Sequence, residues 1–240
     1  MPGPAIGVAI EAATGAWDLR AELVWFCVPD AEIARAACTL TEKIEWKGTV
    51  ALHSSGALTS DELAVLRNRG ASVASVHPLM TFVRGSRPSL VGVPFAIEGD
   101  TRAVRAARAI VRTLRGEPFS IRKENKEAYH AWGMFLSPLL TALLAATEHV
   151  AGAAGITPKA ARKKMLPILH QTLANYARLG AAEGFSGPLA RGDVATVQKH
   201  LNALRSIPAA REVYVALARS ALRDLPAKHR AGLEKLLRKG

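Results

Sequence analysis

A chain of 240 residues is long enough for two modest domains or one large one. Hydrophobic residues make up 49% of it and charged residues 22%, which is typical of a folded protein and excludes a disordered or fibrous chain. The net charge is +12, and nearly all of it lies in residues 119–240, which hold 19 Lys and Arg against 8 Asp and Glu.

The basic second half raises the question of an anionic partner, because such a charge attracts nucleic acid, membrane surfaces or anionic small molecules. The main basic cluster consists of Lys159, Arg162, Lys163 and Lys164. No aromatic residues interleave with it, as they do in surfaces that stack bases. We therefore interpret it as a solvated helix surface, and we expect neither nucleic acid nor a membrane as partner.

Cysteine usage and the first residues indicate a cytoplasmic protein. Cys27 and Cys38 are the only cysteines, so no disulfide framework is predicted. The N-terminal segment lacks a positively charged region before its apolar residues, which argues against a secretory signal. The uncharged segment 131–147 is barely long enough to span a membrane and contains Pro138, so we interpret it as a core helix.

The first half alternates strands and helices. Apolar runs predict strands over residues 21–28, 49–53 and 72–76, with helices over 30–46 and 61–69 between them. Asp30 and Ser60 are the expected N-caps of these helices. A loop then leads to a strand over 93–97, a helix from Asp100 to about residue 114, and a short strand over 118–122.

From residue 123 onward the periodicity is helical, which predicts two domains, 1–122 and 123–240. In the helix over 126–152, Trp132, Phe135 and five leucines recur at helical spacing, so we expect one deeply buried face and a bend at Pro138. Later helices are expected to begin at Thr157-Pro158, Asp193, Pro208 and Pro226.

The ends of the three parallel strands are the expected ligand site, because sites in α/β sheets form at the carboxyl ends of strands. The residues that follow or end the strands are Val28, Pro29 and Asp30; His53, Ser54, Ser55 and Gly56; and His77. The Ser-Ser-Gly segment can present hydroxyls and N–H groups to a carboxylate or phosphate. It can equally be a plain turn that uses these residues for their geometry.

A stripe of polar residues marks the helix that opens the second half: Lys126, His130, Ser137 and Thr141. A partly buried Lys126 would have a lowered pKa and could donate a proton to a carbonyl oxygen, with His130 orienting or relaying that proton. Alternatively, Lys126 is exposed and His130 bonds a backbone carbonyl. The sequence has no Gly-x-Ser-x-Gly elbow and no zinc-ligand spacing, so neither a serine hydrolase nor a metal site is predicted.

Four motifs together resemble a known family: HSSGAL, GAxVASVHPLMTF, KEAYHAWGMF and FSGPLARGDVATVQKHL. They are similar, in this order, to Rossmann-like proteins with a C-terminal helical domain of unknown function, relatives of the 6-phosphogluconate dehydrogenase, ketopantoate reductase and pyrroline-carboxylate reductase group. The likeness extends from Ala21 to Leu225. It implies an α/β fold with a partial Rossmann-like parallel sheet followed by an all-α domain, NADP or NAD as cofactor, a small-molecule substrate, and a homodimer through the helices.

The resemblance also implies roles for residues. In β-hydroxyacid dehydrogenases of the wider group, a Lys-x-x-x-Asn pair opens the corresponding helix and the Lys acts on the substrate oxygen; here the pair reads Lys126 and His130. Ser54, Ser55 and Gly56 correspond to the substrate-anion loop, with His77 beside it. The remaining strand-end residues correspond to the cofactor side: Val28, Pro29, Asp30 and His53.

The sequence differs from this family in one respect, and that difference leaves two functions open. No Gly-x-Gly-x-x-Gly precedes the first strand, so we expect cofactor affinity to be severely reduced. The first hypothesis is an NAD(P)-dependent oxidoreductase acting on a small carbonyl, hydroxy or imino acid. The second is a non-catalytic dimeric binding protein derived from such an enzyme. The second hypothesis also rests on the apolar first strand, which would lie at an open sheet edge that residues 5–10 are expected to cover.

Overall fold

The first half forms a five-stranded sheet in the computed structural model, which describes residues 21–238. In chain order the strands are β1 (Leu23–Phe26), β2 (Val50–His53), β3 (Ser72–Pro78), β4 (Pro94–Gly99) and β5 (Glu117–Ser120), and they lie side by side in that same order. Strands β1, β2 and β3 are parallel. The predicted α/β fold with a Rossmann-like sheet is confirmed; the predicted cover over residues 5–10 lies outside the described residues.

Strand β4 reverses direction and runs antiparallel to β3. The connection over residues 79–93 contains no helix, whereas parallel strands are usually joined by a crossover helix. Helix α3 (Thr101–Thr113) then provides such a crossover, so β5 is parallel to β4. The carboxyl ends of β4 and β5 therefore lie at the edge of the sheet opposite to those of β1, β2 and β3.

Helices cover both faces of this sheet. Helices α1 (Ile33–Leu40) and α2 (Ala64–Arg67) pack with Ala51 and Val73 on one face, and α3 packs with Leu52 and Val76 on the other. Helix α1 ends earlier than predicted, because the Trp46 indole is buried and donates to the Leu40 carbonyl at 3.2 Å.

The two predicted N-caps of these helices are wrong. The Asp30 side chain caps no helix, because its carboxylate accepts from the Ser55 hydroxyl at 2.7 Å. Thr59 rather than Ser60 caps the turn before α2. In both places a distant polar partner competes with the local backbone for the side chain.

The second half contains seven helices among the described residues: α4 (Lys126–Leu136), α5 (Pro138–Ala153), α6 (Pro158–Gly184), α7 (Gly187–Arg191), α8 (Val194–Ala203), α9 (Pro208–Asp224) and α10 (Arg230–Arg238). The last strand ends at Ser120, close to the predicted boundary at residue 122. The compact units divide later, between Phe135 and Leu136, so α4 belongs with the sheet. Lys126 and Tyr129 are its buried residues.

Several helix limits follow the sequence signals. At Pro138 the predicted bend is a complete break, because Ser137 leaves the helical conformation (φ −130°, ψ −77°). Thr157 caps α6, and Asp193 caps α8 by accepting from the Thr196 N–H at 3.0 Å. Helix α10 begins at Arg230 rather than at Pro226.

The prediction of one deeply buried face on the helix over 126–152 is wrong for a single copy of the chain. Helix α5 has no buried residue, and the core of the second unit is instead built from α8, α9 and α10. The large side chains are exposed by 37% to 70%: Trp132, Phe135, Leu136, Leu139 and Leu140. Within residues 21–238, the stretch Lys123–Ala153 is long and apolar enough to cross a membrane by length and composition, although it is broken at Ser137. Helical periodicity identifies side chains that share a face, not what covers them.

Candidate functional site

Polar side chains gather on one face of the sheet at the ends of β2 and β3. His53 pairs with Ser75 in the register, and side chains two residues apart on a strand share a face. Ser75 and His77 therefore lie on the face of Val73, the face that α1 and α2 cover. His53 and Ser75 are fully buried, so each needs hydrogen-bond partners within the protein.

The Ser54-Ser55-Gly56 loop is held by its own side chains. The Ser55 hydroxyl donates to the Asp30 carboxylate at 2.7 Å and accepts from the Leu58 N–H at 2.9 Å. The Ser54 hydroxyl accepts from the Trp25 indole at 2.8 Å. These contacts fix the loop against the end of β1 and bring Asp30 to the loop.

His53 acts inside this loop. Its Nδ1 accepts from the Ser55 N–H at 3.2 Å, so the proton is on Nε2, which donates to the Thr59 carbonyl at 3.0 Å. Burial lowers the His53 pKa to about 4, so the ring is neutral at physiological pH. Both ring nitrogens of His53 are therefore hydrogen-bonded within the loop, to Ser55 and to Thr59.

Lys126 inserts its ammonium beneath the same loop. It is 1% exposed, and its Nζ donates to the Ser55 carbonyl at 2.8 Å and to the Ser75 hydroxyl. Burial lowers its pKa to about 8, against the opposing influence of the Glu98 and Asp30 carboxylates. The interpretation of an exposed Lys126 is wrong, and the expected lowered pKa is present.

Glu98 provides a buried negative charge for this ammonium. It is 5% exposed and accepts from the Ser60 N–H at 2.7 Å and the Ser60 hydroxyl at 2.8 Å. Sequence reasoning missed Glu98, although a carboxylate at the end of the apolar run VPFAIEGD was the available signal. Each of the two buried charges is hydrogen-bonded to its own polar partners, and the Glu98 carboxylate favours the charged form of Lys126 from a distance.

His77 is paired with Tyr129, a residue that sequence reasoning also missed. The His77 Nδ1 lies 2.7 Å from the Tyr129 hydroxyl, and the two rings meet edge to face. Burial first, then the charges of Lys126 and His130, lower the His77 pKa to about 4, while Asp30 opposes them. Burial raises the Tyr129 pKa to about 12, so the phenol stays protonated.

Two imidazoles converge on Gly56. A methyl group added at Gly56 would lie 2.8 Å from the His77 Nε2 and 2.9 Å from the His130 Cδ2. Within residues 21–238, neither the His77 Nε2 nor the His130 ring has a hydrogen-bond partner. The structure thus brings His77 and His130 together at the loop, with ring nitrogens free to meet a ligand.

The other predicted residues are placed differently. Val28, Pro29 and Asp30 are exposed where β1 ends. Ser137 and Thr141 belong to the second compact unit, where the Thr141 hydroxyl donates to the Ser137 carbonyl at 3.0 Å. In the described part of the chain, no group of three His, Cys, Asp or Glu could hold a metal ion.

A cavity of about 560 Å³ lies at the opposite edge of the sheet, where β4 and β5 end. Two cations of its lining are paired with carboxylates: Arg67 with Asp61 and Asp100, and Lys123 with Asp61. Glu98 also lines this cavity, whereas Gly56, His77 and His130 do not.

Comparison with known proteins agrees with this architecture. The family model described as a domain of unknown function, DUF2520, matches residues 93–221, which is more than half of the chain. No curated protein matches the sequence.

Three solved structures illustrate the likeness in fold. A Bacteroides fragilis protein, provisionally named an NADP oxidoreductase, has a TM-score of 0.70 and 20% identity, over 87% of this chain and 78% of that one. A Thermotoga maritima protein has a TM-score of 0.68 and 21% identity, over 92% and 80%. A reductive aminase from Aspergillus terreus, in complex with NADPH and ethyl-5-oxohexanoate, has a TM-score of 0.56 and 14% identity, over 89% and 79%.

Proposed function

The chain belongs to the family of the DUF2520 domain of unknown function, and we propose that it is an NAD(P)-dependent oxidoreductase acting on a small carbonyl, hydroxy or imino acid. The observation that carries the proposal is the convergence of His77 and His130 on Gly56, at the carboxyl ends of parallel strands. Ligands of open α/β sheets bind at this edge. The names of the Bacteroides fragilis and Aspergillus terreus proteins support the same reaction class.

The residues divide into those that meet the substrate and those that hold the loop. The His77 Nε2 and the edge of the His130 ring lie at Gly56, so we assign both residues to the reacting group of the substrate. The backbone of Ser54 and Gly56 is assigned to a substrate carboxylate. Lys126 acts through Ser55, because its two hydrogen bonds go to the loop and to β3.

The nicotinamide cofactor, NADP or NAD, supplies hydride to the substrate carbon when bound. The exposed turn of Val28, Pro29 and Asp30 adjoins the loop through the contact between Asp30 and Ser55, which suits the nicotinamide side. No Gly-x-Gly occurs anywhere in the sequence, so the usual backbone approach to a pyrophosphate is not provided. We therefore propose weak cofactor binding.

Titration of the full chain with NADPH and NADH, followed by calorimetry and nicotinamide fluorescence, tests this function. We expect saturable binding that NADP⁺ or NAD⁺ reverses by competition. Absence of binding by both methods would overturn the oxidoreductase proposal and leave the second candidate.

That second candidate is a non-catalytic, dimeric interaction protein, and it is favoured by exposed apolar residues on α5 and α6. These are Leu139, Leu140, Leu166, Ile168, Leu173 and Tyr176. Large apolar patches on soluble proteins mark interaction sites. We propose a second copy of this chain as the occupant in either functional account.

Sedimentation analysis tests the dimer. We expect the wild-type chain to sediment as a dimer, and the double variant Ile168→Lys/Leu173→Lys to sediment as a monomer because charge on the contact face opposes burial. A matched control, Lys163→Glu/Lys164→Glu, changes exposed charges of the same helix and should remain dimeric. A wild-type monomer, or cosedimentation with phosphatidylcholine vesicles instead of self-association, would contradict the proposal.

A further inference from the structure

The hydroxyl of Tyr129 has a single acceptor. Tyr129 is 7% exposed, and within the described chain its hydroxyl is hydrogen-bonded only to the His77 Nδ1, at 2.7 Å. A buried hydroxyl that fails to donate loses its hydrogen bond to water without replacement, which is unfavourable. The Tyr129 O–H therefore donates to the His77 Nδ1 rather than accepting from it.

This contact decides where the imidazole proton of His77 lies. A neutral imidazole has one N–H and one bare nitrogen, so an accepting Nδ1 leaves the hydrogen on Nε2. The same Nε2 would contact a methyl group at Gly56 and has no partner among residues 21–238. His77 thus presents an N–H donor to whatever lies at the loop.

The charges around His77 favour the same kind of ligand. The groups that act on it are the buried Lys126 ammonium, His130 and the Asp30 carboxylate. Asp30 is exposed and already accepts from Ser55, whereas Lys126 lies 1% exposed beneath the loop. A carbonyl oxygen can accept a hydrogen bond from the His77 N–H, and the buried Lys126 cation attracts its partial negative charge. A protonated imine would instead place its own N–H against the His77 N–H and its positive charge near the Lys126 ammonium.

We propose that His77, held as the Nε2–H tautomer by Tyr129, is a specificity-determining hydrogen-bond donor, and that the site takes a carbonyl oxygen rather than a protonated imine. The substrate class rests on the proposed oxidoreductase function. The tautomer stands on the geometry of His77 and Tyr129 and is independent of any cofactor.

Nitrogen-15 NMR of the histidine side chains in the full chain tests the tautomer. We expect the His77 ring of the wild type to be neutral with the proton on Nε2, and Tyr129→Phe to convert it to a mixture of tautomers. Tyr214→Phe is a matched control, because it removes the equivalent hydroxyl contact to His200 Nδ1 at 3.1 Å. It should leave His77 unchanged, and a wild-type His77 protonated on Nδ1 would overturn the inference.

Turnover with NADPH tests the substrate class, with pyruvate and 2-methyl-1-pyrroline as the carbonyl and imine probes. We expect kcat/KM to be higher for pyruvate, to fall about tenfold or more in His77→Ala, and to recover in part in His77→Asn, which retains an N–H donor. A preference for the imine overturns the inference while the oxidoreductase proposal stands. Absence of both turnover and NADPH binding overturns the oxidoreductase proposal, and the tautomer measurement still decides the role of Tyr129.

Discussion

At the scale of single residues, the site is organised around a buried ammonium. Lys126 holds the Ser55 carbonyl and the Ser75 hydroxyl, and Glu98 supplies the nearby negative charge. Spacing on a helix singled out Lys126 but left open whether it is buried with a lowered pKa or exposed. It did not predict Tyr129 or Glu98, because their partners lie 52 and 38 residues away in the chain and only the folded sheet brings them together.

The lowered pKa of Lys126 predicts a pH-dependent stability. The folded-state pKa is about 8 and the ordinary value is 10.5, so between these values the unfolded chain binds more protons. The free energy of unfolding therefore rises with pH across this window, by up to about 3 kcal/mol. Urea unfolding from pH 7.5 to 10.5 checks it, with Lys126→Met as the control in which this rise is lost. Equal pH dependence in the two proteins would contradict the buried ammonium.

Gly56 is predicted to be essential for the positions of His77 and His130 at the site. In Gly56→Ala the new methyl group would lie 2.8 Å from the His77 Nε2 and 2.9 Å from the His130 Cδ2, so both rings must move. We expect turnover with NADPH to fall about tenfold or more, because displaced catalytic groups lose their geometry. Gly152→Ala is the matched control, since nothing lies within 4 Å of its added methyl group. Unchanged turnover in Gly56→Ala would place the site elsewhere.

At the scale of elements, apolar runs predicted all five strands, but not the direction of β4. Strand existence follows from local composition, whereas direction depends on the connection over residues 79–93 and on what it packs against. The helix N-caps show the same difference between features set by local sequence and features set by distant contacts. Asp193 caps α8 as predicted because its partner is three residues away, but Asp30 bonds a loop 25 residues further on.

The antiparallel pairing of β3 with β4 depends on Gly99. Its φ is +138°, and an added methyl group would lie 2.3 Å from the Val73 carbonyl oxygen. We expect Gly99→Ala to lower the free energy of unfolding by at least about 1 to 3 kcal/mol from backbone strain alone. Urea unfolding of Gly99→Ala, compared with that of Gly152→Ala as the control, measures this loss of stability. Equal stability of the two variants would show that β3 and β4 do not approach each other in this way.

At the scale of the whole molecule, sequence and structure agree on a Rossmann-like sheet unit and a helical unit. The sequence could not predict which apolar helix faces are covered within one chain. Helices α8, α9 and α10 bury apolar residues, while α5 buries none, although α5 is also rich in apolar residues. In the proposed dimer, the second copy of the chain covers the exposed leucines of α5. The proposed function depends instead on the strand-end site, where His77 and His130 meet at Gly56.

Calorimetric titration of the full chain with NADPH tests that function most directly. We expect weak, saturable binding with one site per chain, which competes with NADP⁺ and weakens when Gly56→Ala displaces His77 and His130 at the proposed nicotinamide and substrate edge. No heat of binding at millimolar NADPH, or equal binding by wild type and Gly56→Ala, would contradict an oxidoreductase site at this edge of the sheet.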